Sequence, residues 1–280
     1  MEPDELERIE IELLLEGVYR VRGLDFRNYV YASLRRRVWH RVHAEDLVTV
    51  SALQDKVFRS EGCMDRLISD LVIHVTEMFR DPEVFRQFRE EVVPVLRDLP
   101  FLRIWHAGCS TGEEAYSMAI LLHEEGLYDR TRIYATDLNE AVLNKAKEGV
   151  YPLDKMKMYT QNYVKSGGKA SFSDYYTARY HSIIFPSFLK KNIVFAQHNL
   201  VTDTSFHEFD VIFCRNVMIY FNRNLQNRVQ SLFHQSLSDR GFLVLGSKET
   251  LHFSPYSDHY EAYSQTHKIY RKETPKVNTN

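Results

Sequence analysis

The chain has 280 residues (33.1 kDa), 44% of them hydrophobic and 26% charged, with a formal net charge of -2. That length buries a large core in one sizeable domain or two modest ones, and the near-neutral balance excludes a general polyanion binder, so charge has to be read locally. Cys63, Cys109 and Cys214 stand far apart with no CxxC pair, which excludes a disulfide framework or zinc knuckle and fits a reducing cytoplasm. No apolar run reaches the roughly 18 residues of a membrane span, and the Glu-rich start has no basic signal-peptide region. A soluble cytoplasmic protein without membrane insertion is expected.

In chain order, the first hundred residues predict helices and no strand. Leu6, Ile9, Leu13 and Leu14 recur at helical spacing up to Gly23, and Tyr29, Leu34, Val38 and Val42 share one side of the next segment. Further helices are expected at about 51–59 and 64–73. Asp81-Pro82 then reads as an N-cap followed by proline at the first helical position. After Pro100 the grammar becomes βαβα: "FLRIWHAG", a helix from Glu113, "TRIYATD", and a second helix over "LNEAVLNKAKEG". "NIVFAQHNL" and "FDVIFCRNVMIYF" read as two more buried strands. A helix from Asn224 with a stop at Gly241 and a strand in "FLVLGSKETL" complete the series. The expectation is an α/β, Rossmann-like domain with a mostly parallel sheet and its ligand at the carboxyl ends of the strands. Residues 152–190 interrupt the pattern and read as an inserted small antiparallel sheet.

Gly108, Ser110 and Gly112 occupy alternate positions where the first strand passes into the first helix. Such residues let the backbone approach a ligand closely, or simply close a tight turn. Glu113 and Glu114 follow in place of a lysine, and carboxylates there would repel a polyphosphate. Asp137 ends the next strand, where a carboxylate can accept hydrogen bonds from both hydroxyls of a ribose. These charges suit a phosphate-free nucleoside carrying a cationic group, and S-adenosylmethionine has those properties.

Four stretches in order, "VTEMFRDP" (75–82), "AGCSTGEE" (107–114), "HNL" (198–200) and "CRNVMIYF" (214–221), make the chain resemble the CheR family of chemotaxis receptor methyltransferases, over about Gly23 to Tyr270. The resemblance implies an all-α N-terminal domain (drawn here as 1–90 with its linker), a methyltransferase domain (91–280), and a β-subdomain inserted into it where 152–190 lies. It implies S-adenosylmethionine as methyl donor, S-adenosylhomocysteine as product, and glutamates on chemoreceptor cytoplasmic helices as acceptors.

It also implies site residues. His74, Thr76 and Arg80 match the family's Asn, Thr and Arg that touch the cofactor, and His74 departs from that asparagine. Arg80 would pair with the methionine carboxylate. Of Glu113 and Glu114, one complements the helix dipole and the other faces the methionine ammonium or a ribose hydroxyl. Gly108 and Asp137 complete that part of the site. His198, Asn199, Arg215 and Asn216 are placed around the adenine and methionine portions, Arg215 being alternatively a surface cation. Tyr220 matches the aromatic residue near the reactive methyl and is otherwise a core aromatic; with Arg80 it is the expected catalytic pair.

Methylation of an already ionised carboxylate needs no general base, and no Cys-His or Ser-His-Asp constellation is evident. No metal is called for. Residues 20–43 carry seven arginines against Asp25, a local charge of +6. Arg35, Arg36, Arg37 and Arg41 on this segment are expected to meet the acidic surface of the receptor bundle, rather than nucleic acid or solvent alone. Aromatic residues of the insertion (Phe172, Tyr175, Tyr176, Tyr180) offer an edge for a receptor C-terminal tail. The alternatives are a related methyltransferase acting on RNA or a small molecule, and a non-catalytic module that binds the cofactor. The second draws on His74 and on Ser247–Glu249, where the family has a His-Ser-Glu pattern.

Overall fold

The computed structural model of the chain describes residues 3–72, 75–252 and 254–273. Two units separate on their internal contacts: residues 1–73 with 220–228, and residues 74–219 with 229–280. The first break therefore falls at 73/74, ahead of the 90 drawn from sequence, and a stretch from the C-terminal half joins the N-terminal helices.

The first unit contains α1 (Pro3–Arg22), α2 (Tyr31–Ala44), α3 (Val50–Arg59) and α4 (Glu61–Leu71). Their apolar faces close on one core of Ile11, Leu14, Val18, Leu34, Val38, Val42, Leu53, Val57 and Leu67, all nearly or fully buried. Thr49 and Ser60 cap α3 and α4, each accepting a backbone N–H three residues on. No described helix is long and apolar enough to cross a membrane.

The second unit opens with α5 (Pro82–Gln87), one π-helical stretch at Phe88–Val92, and α6 (Val93–Leu96). Then follow β1 (Leu102–Ala107), α7 (Glu113–Glu124), β2 (Thr131–Asp137), α8 (Glu140–Glu148), β3 (Val150–Pro152), α9 (Met156–Lys165), β4 (Thr177–Arg179), β5 (Ser182–Ile184) and α10 (Ser187–Lys190). The last elements are β6 (Ile193–Gln197), β7 (Phe209–Cys214), α11 (Arg223–Ser236, whose first turns belong to the other unit), β8 (Leu237–Leu245), β9 (Tyr260–Ser264) and β10 (Ile269–Lys272). The main sheet has the order β6-β2-β1-β7-β8-β10-β9. It is parallel from β6 to β8 and antiparallel through β10 and β9. The strand order reverses at β1, flanked by β2 and β7, and a ligand crevice opens at the carboxyl ends of strands at such a point. The inserted region carries the three-stranded antiparallel sheet β3-β5-β4.

Four local expectations are corrected. Asp81 does not cap α5: its φ is +53° and its side chain makes no capping bond, because the carboxylate is engaged by Arg215. β6 is not a buried strand; it pairs only with β2 as a sheet edge, and of its five residues only Ile193 is buried. The run "FDVIFCRNVMIYF" is a strand only to Cys214; Asn216 turns at φ +60° and Met218–Tyr220 form a 3-10 turn. Gly241 does not stop α11, which ends at Ser236, and β8 begins at Leu237, paired with Phe209 across a register shift. The insertion also contains α9, a helix the sequence pattern did not isolate.

Candidate active site

The site is built from the loops that leave β1, β2 and β7. β1 is buried at every position but Arg103, and Trp105 Nε1 donates to Thr136 Oγ1 (2.8 Å), tying β1 to β2. The chain then turns at Gly108 (φ +76°), where a Cβ would lie 2.5 Å from a methyl of Val217. That glycine is therefore required by the approach of the loop after β7. Gly108 N and Cys109 N both donate to Thr136 O (2.8 Å each). Asp137 is nearly buried at the end of β2. It accepts from Ser110 N through Oδ2 (2.8 Å) and from Asn139 N through Oδ1 (3.0 Å), so its carboxylate points at the glycine turn. Each oxygen keeps a second lone pair for a further donor.

The two glutamates opening α7 have different surroundings. Glu113 is buried, takes a hydrogen bond from Thr111 Oγ1 (2.6 Å) and lies 3.5 Å from Tyr159 OH. Burial pushes its pKa up, against the Thr111 bond. Glu114 accepts from Arg215 Nη1 (2.9 Å) and meets His106 Nδ1 at 3.0 Å. Burial raises its pKa, but the His106 hydrogen bond and the Arg215 charge outweigh burial and leave it low. Arg215 is no surface cation, its side chain being 1% exposed. It donates to Glu114, to Asp81 Oδ2 (2.6 Å) and to the carbonyl of Arg80 (3.0 Å). One guanidinium thus links α7 to the loop carrying Arg80. Arg80 itself is half-buried and donates to Val75 O (3.0 Å); Thr76, also half-buried, belongs to the same loop. His74 lies outside the described residues.

Beyond β7, Asn216 owes its left-handed backbone to Glu249. The buried Glu249 carboxylate accepts from the N–H groups of Asn216 (2.9 Å), Val217 (2.9 Å), Met218 (2.7 Å) and Gly246 (2.6 Å). Burial raises its pKa against those four bonds. On the other side, His198 packs edge-on against Trp105 (5.2 Å between rings), with Nε2 3.2 Å from Thr204 O. Asn199 closes a turn, its Oδ1 accepting from Val201 N (2.9 Å) and its N–H donating to Asp203 (2.8 Å). Among the described residues, Ser110 Oγ, Asn216 Oδ1 and His198 Nδ1 are buried without a hydrogen-bond partner. Buried polar atoms are almost always satisfied, so these orphans at one sheet edge, with Arg215 Nε and His106 Nε2 likewise unpartnered and the anchored Asp137 carboxylate beside them, fit a polar nucleoside.

Sequence reasoning missed His106, Tyr151 at the start of the inserted region and Tyr159 within it, and met Glu249 only as part of the 247–249 stretch without its anchoring role. Tyr151 OH donates to Thr111 O (2.6 Å) and Tyr159 reaches Glu113. Only the position of the insertion in the chain hints at them, since the contacts span about forty residues.

In the first unit, the expected receptor-facing arginines differ among themselves. Arg35 is half exposed and ion-paired with Glu7. Arg36 is exposed. Arg41 is largely buried between Asp70 (2.7 Å) and Glu45 (3.3 Å). Arg37 is 7% exposed and donates to Leu71 O, with its guanidinium 5.1 Å from the centre of the Tyr220 ring. Tyr220 is half-buried, and its carbonyl accepts from Val30 N (2.8 Å).

A parallel αβ sheet with a glycine turn after its first strand and an acid at the end of its second is the frame of a nucleoside-cofactor transferase domain. Residues 74–269 match the CheR methyltransferase SAM binding domain, and residues 9–72 the CheR methyltransferase all-alpha domain. The chain is 52% identical to the Cher3 protein of Pseudomonas putida, over 94% of this chain and 97% of that one. It is 33% identical to a chemotaxis protein methyltransferase of Borreliella burgdorferi (86% and 88%) and 30% identical to one of Listeria innocua (84% and 87%). The chain belongs to the CheR methyltransferase family, and S-adenosylmethionine is its cofactor.

Proposed function

We propose that this chain methylates glutamate side chains on the cytoplasmic helical bundle of chemoreceptors, in the cytoplasm. The observation that carries the reading is the Asp137 carboxylate, held by two backbone N–H groups against the glycine turn with spare lone pairs for a ribose. The bound cofactor supplies a methyl group on a positively charged sulfur. Asp137 orients the ribose; Gly108 keeps the turn close. Glu113, buried and weakly acidic, suits a ribose hydroxyl or the methionine ammonium, whereas Glu114 is already committed to Arg215. Asn216 and His198 offer unsatisfied polar atoms to the adenosine and methionine portions, Asn199 shapes the adenine side, and Arg80 pairs with the methionine carboxylate, Thr76 and His74 of the same motif touching the cofactor. The acceptor glutamate, with an ordinary pKa near 4.3, arrives ionised, so alignment and water exclusion are the protein's work, with Tyr220 and Arg80 at the reacting groups.

Arg35 and Arg36, the exposed cations of α2, meet the acidic receptor bundle. The tail of some receptors adds to the exposed strand β4, which among the described residues pairs only with β5 and lies between Tyr176 and Tyr180; Phe172 and Tyr175, grouped with them in the sequence, are buried and offer no such edge. The reading is tested by incubating the protein with methyl-labelled cofactor and receptor cytoplasmic fragments. Base-labile label on glutamates is expected. Tight cofactor binding with label on no receptor fragment would refute the acceptor assignment.

A further inference from the structure

A guanidinium removed from water without a carboxylate partner is costly, and an apolar side chain of similar volume is often as stable in its place. Arg37 is such a group. Nη1 donates to the carbonyl of Leu71, at the end of α4, and Nη2 is buried with no partner among the described residues. Asp70 acts on it only at longer range, being committed to Arg41, while the neighbouring Arg36 opposes its charge. Tyr29 is the other group facing it. Burial accordingly depresses its pKa. What the cation does touch is the face of the Tyr220 ring, at 5.1 Å.

Tyr220 is held on the same side of the unit by backbone. Its carbonyl takes Val30 N–H, Phe221 bridges Tyr29 with rings 5.0 Å apart, and Asn222 N donates to Asn28 O (2.8 Å). The main chain is thereby fixed, but these bonds leave the Tyr220 ring free about χ1 and χ2. The guanidinium over one face supplies the missing constraint.

We infer that Arg37 is a positioning residue for methyl transfer, its buried guanidinium holding and polarising the Tyr220 ring rather than meeting the receptor. The inference rests on the proposed placement of Tyr220 at the transferring methyl. It also separates Arg37 from Arg35 and Arg36, with which the sequence grouped it.

The test is a double-mutant cycle of Arg37→Met and Tyr220→Phe on the full chain, with receptor fragment and cofactor as substrates. Arg37→Met is expected to lower kcat about three- to thirtyfold. KM for the fragment and Kd for S-adenosylhomocysteine should stay within about twofold, and the thermal midpoint should hardly move, since the buried charge has been removed. In the Tyr220→Phe background the same change should lower kcat by less. An unchanged kcat, an equal loss in both backgrounds, or a raised KM with unchanged kcat would overturn the inference. If Arg37→Met does not fold, Arg37→Lys runs the same cycle. If the wild type forms no methyl ester on any fragment, the functional reading fails, and the positioning claim is decided by tyrosine-labelled NMR. A single sharp Tyr220 ring signal in the wild type, broadened or split in Arg37→Met, supports it, and an unaltered signal overturns it.

Discussion

The carboxyl edge of the sheet and the arginine-rich helix α2 both carry many charges, but they settle them differently. At the sheet edge, charges come from residues close in the sequence to a strand end, and their partners are backbone N–H groups or an arginine at the end of the neighbouring strand. In α2 and the chain leading into it, the +6 counted along residues 20–43 largely disappears in space. Arg22 pairs with Asp65, Arg27 with Asp25 and Glu16, Arg35 with Glu7, and Arg41 with Asp70 and Glu45. Linear charge therefore overstated the basic face, whereas linear motif located the glycine turn and the carboxylate that faces it. A strand end is a local feature; the partner of a surface arginine is not.

The largest effect expected from this contrast is at Arg215. Arg215→Met leaves the Glu114 carboxylate without its cation in the interior, and breaking a buried pair costs about 3–5 kcal/mol. Urea unfolding should show that loss, and adding Glu114→Met should restore part of it. Substituting Glu7, the partner of the exposed Arg35, should cost almost nothing on the same scale. Equal losses at the two sites would break the comparison.

Next is Asp137→Asn. The amide keeps one acceptor but turns an N–H₂ toward one of two backbone donors, so the glycine turn and the proposed ribose contact should suffer together. Charge-assisted bonds of this kind are worth roughly 1.5–3 kcal/mol each. Calorimetry should show S-adenosylhomocysteine binding weakened by about 30-fold or more.

What was legible follows the same division. The βαβα alternation, the turn at 108–112 and Asp137 were readable because each depends on neighbours within a few residues. The Rossmann-like sheet and the antiparallel insertion were readable from where the pattern broke. Glu249 was not. It lies 33 residues beyond Asn216, and only the fold brings its carboxylate to four backbone N–H groups. Arg37 could not be told from Arg36 because burial on α2 is decided by what α4 and the Tyr220 turn place against it.

pH should separate Glu45 from Glu113 and Glu249 by the sign of its effect. Glu45, in the first unit, is held at about 2 by its hydrogen bonds from Lys56 and Arg66, with Arg41 adding to them. A lowered folded value means stability that is present above the ordinary carboxyl pKa of 4.5 and lost as pH falls toward 2. Glu113 and Glu249, in the second unit, are raised by burial, so their contribution is full below 4.5 and lost as pH rises through the raised values. Urea midpoints followed with pH should flatten on the acid side in Glu45→Gln and above pH 4.5 in Glu113→Gln. The same sign in both variants would contradict the assignment.

The smallest effect sharpens the receptor side. Glu7→Gln removes the partner of Arg35 while leaving the arginine half exposed. An exposed pair of this kind is worth about 0–1 kcal/mol, so the unfolding midpoint should barely change. The local charge of that face rises by one, however, and a steered encounter responds to such a change. KM for an acidic receptor fragment should fall by about twofold at low salt, through a faster association. The gain should fade near 0.15 M salt, where screening acts over about 8 Å. Arg35→Gln should move KM the opposite way, again only at low salt. If neither variant alters KM at any ionic strength, α2 does not steer the receptor, and the exposed cations that survive pairing are solvated surface.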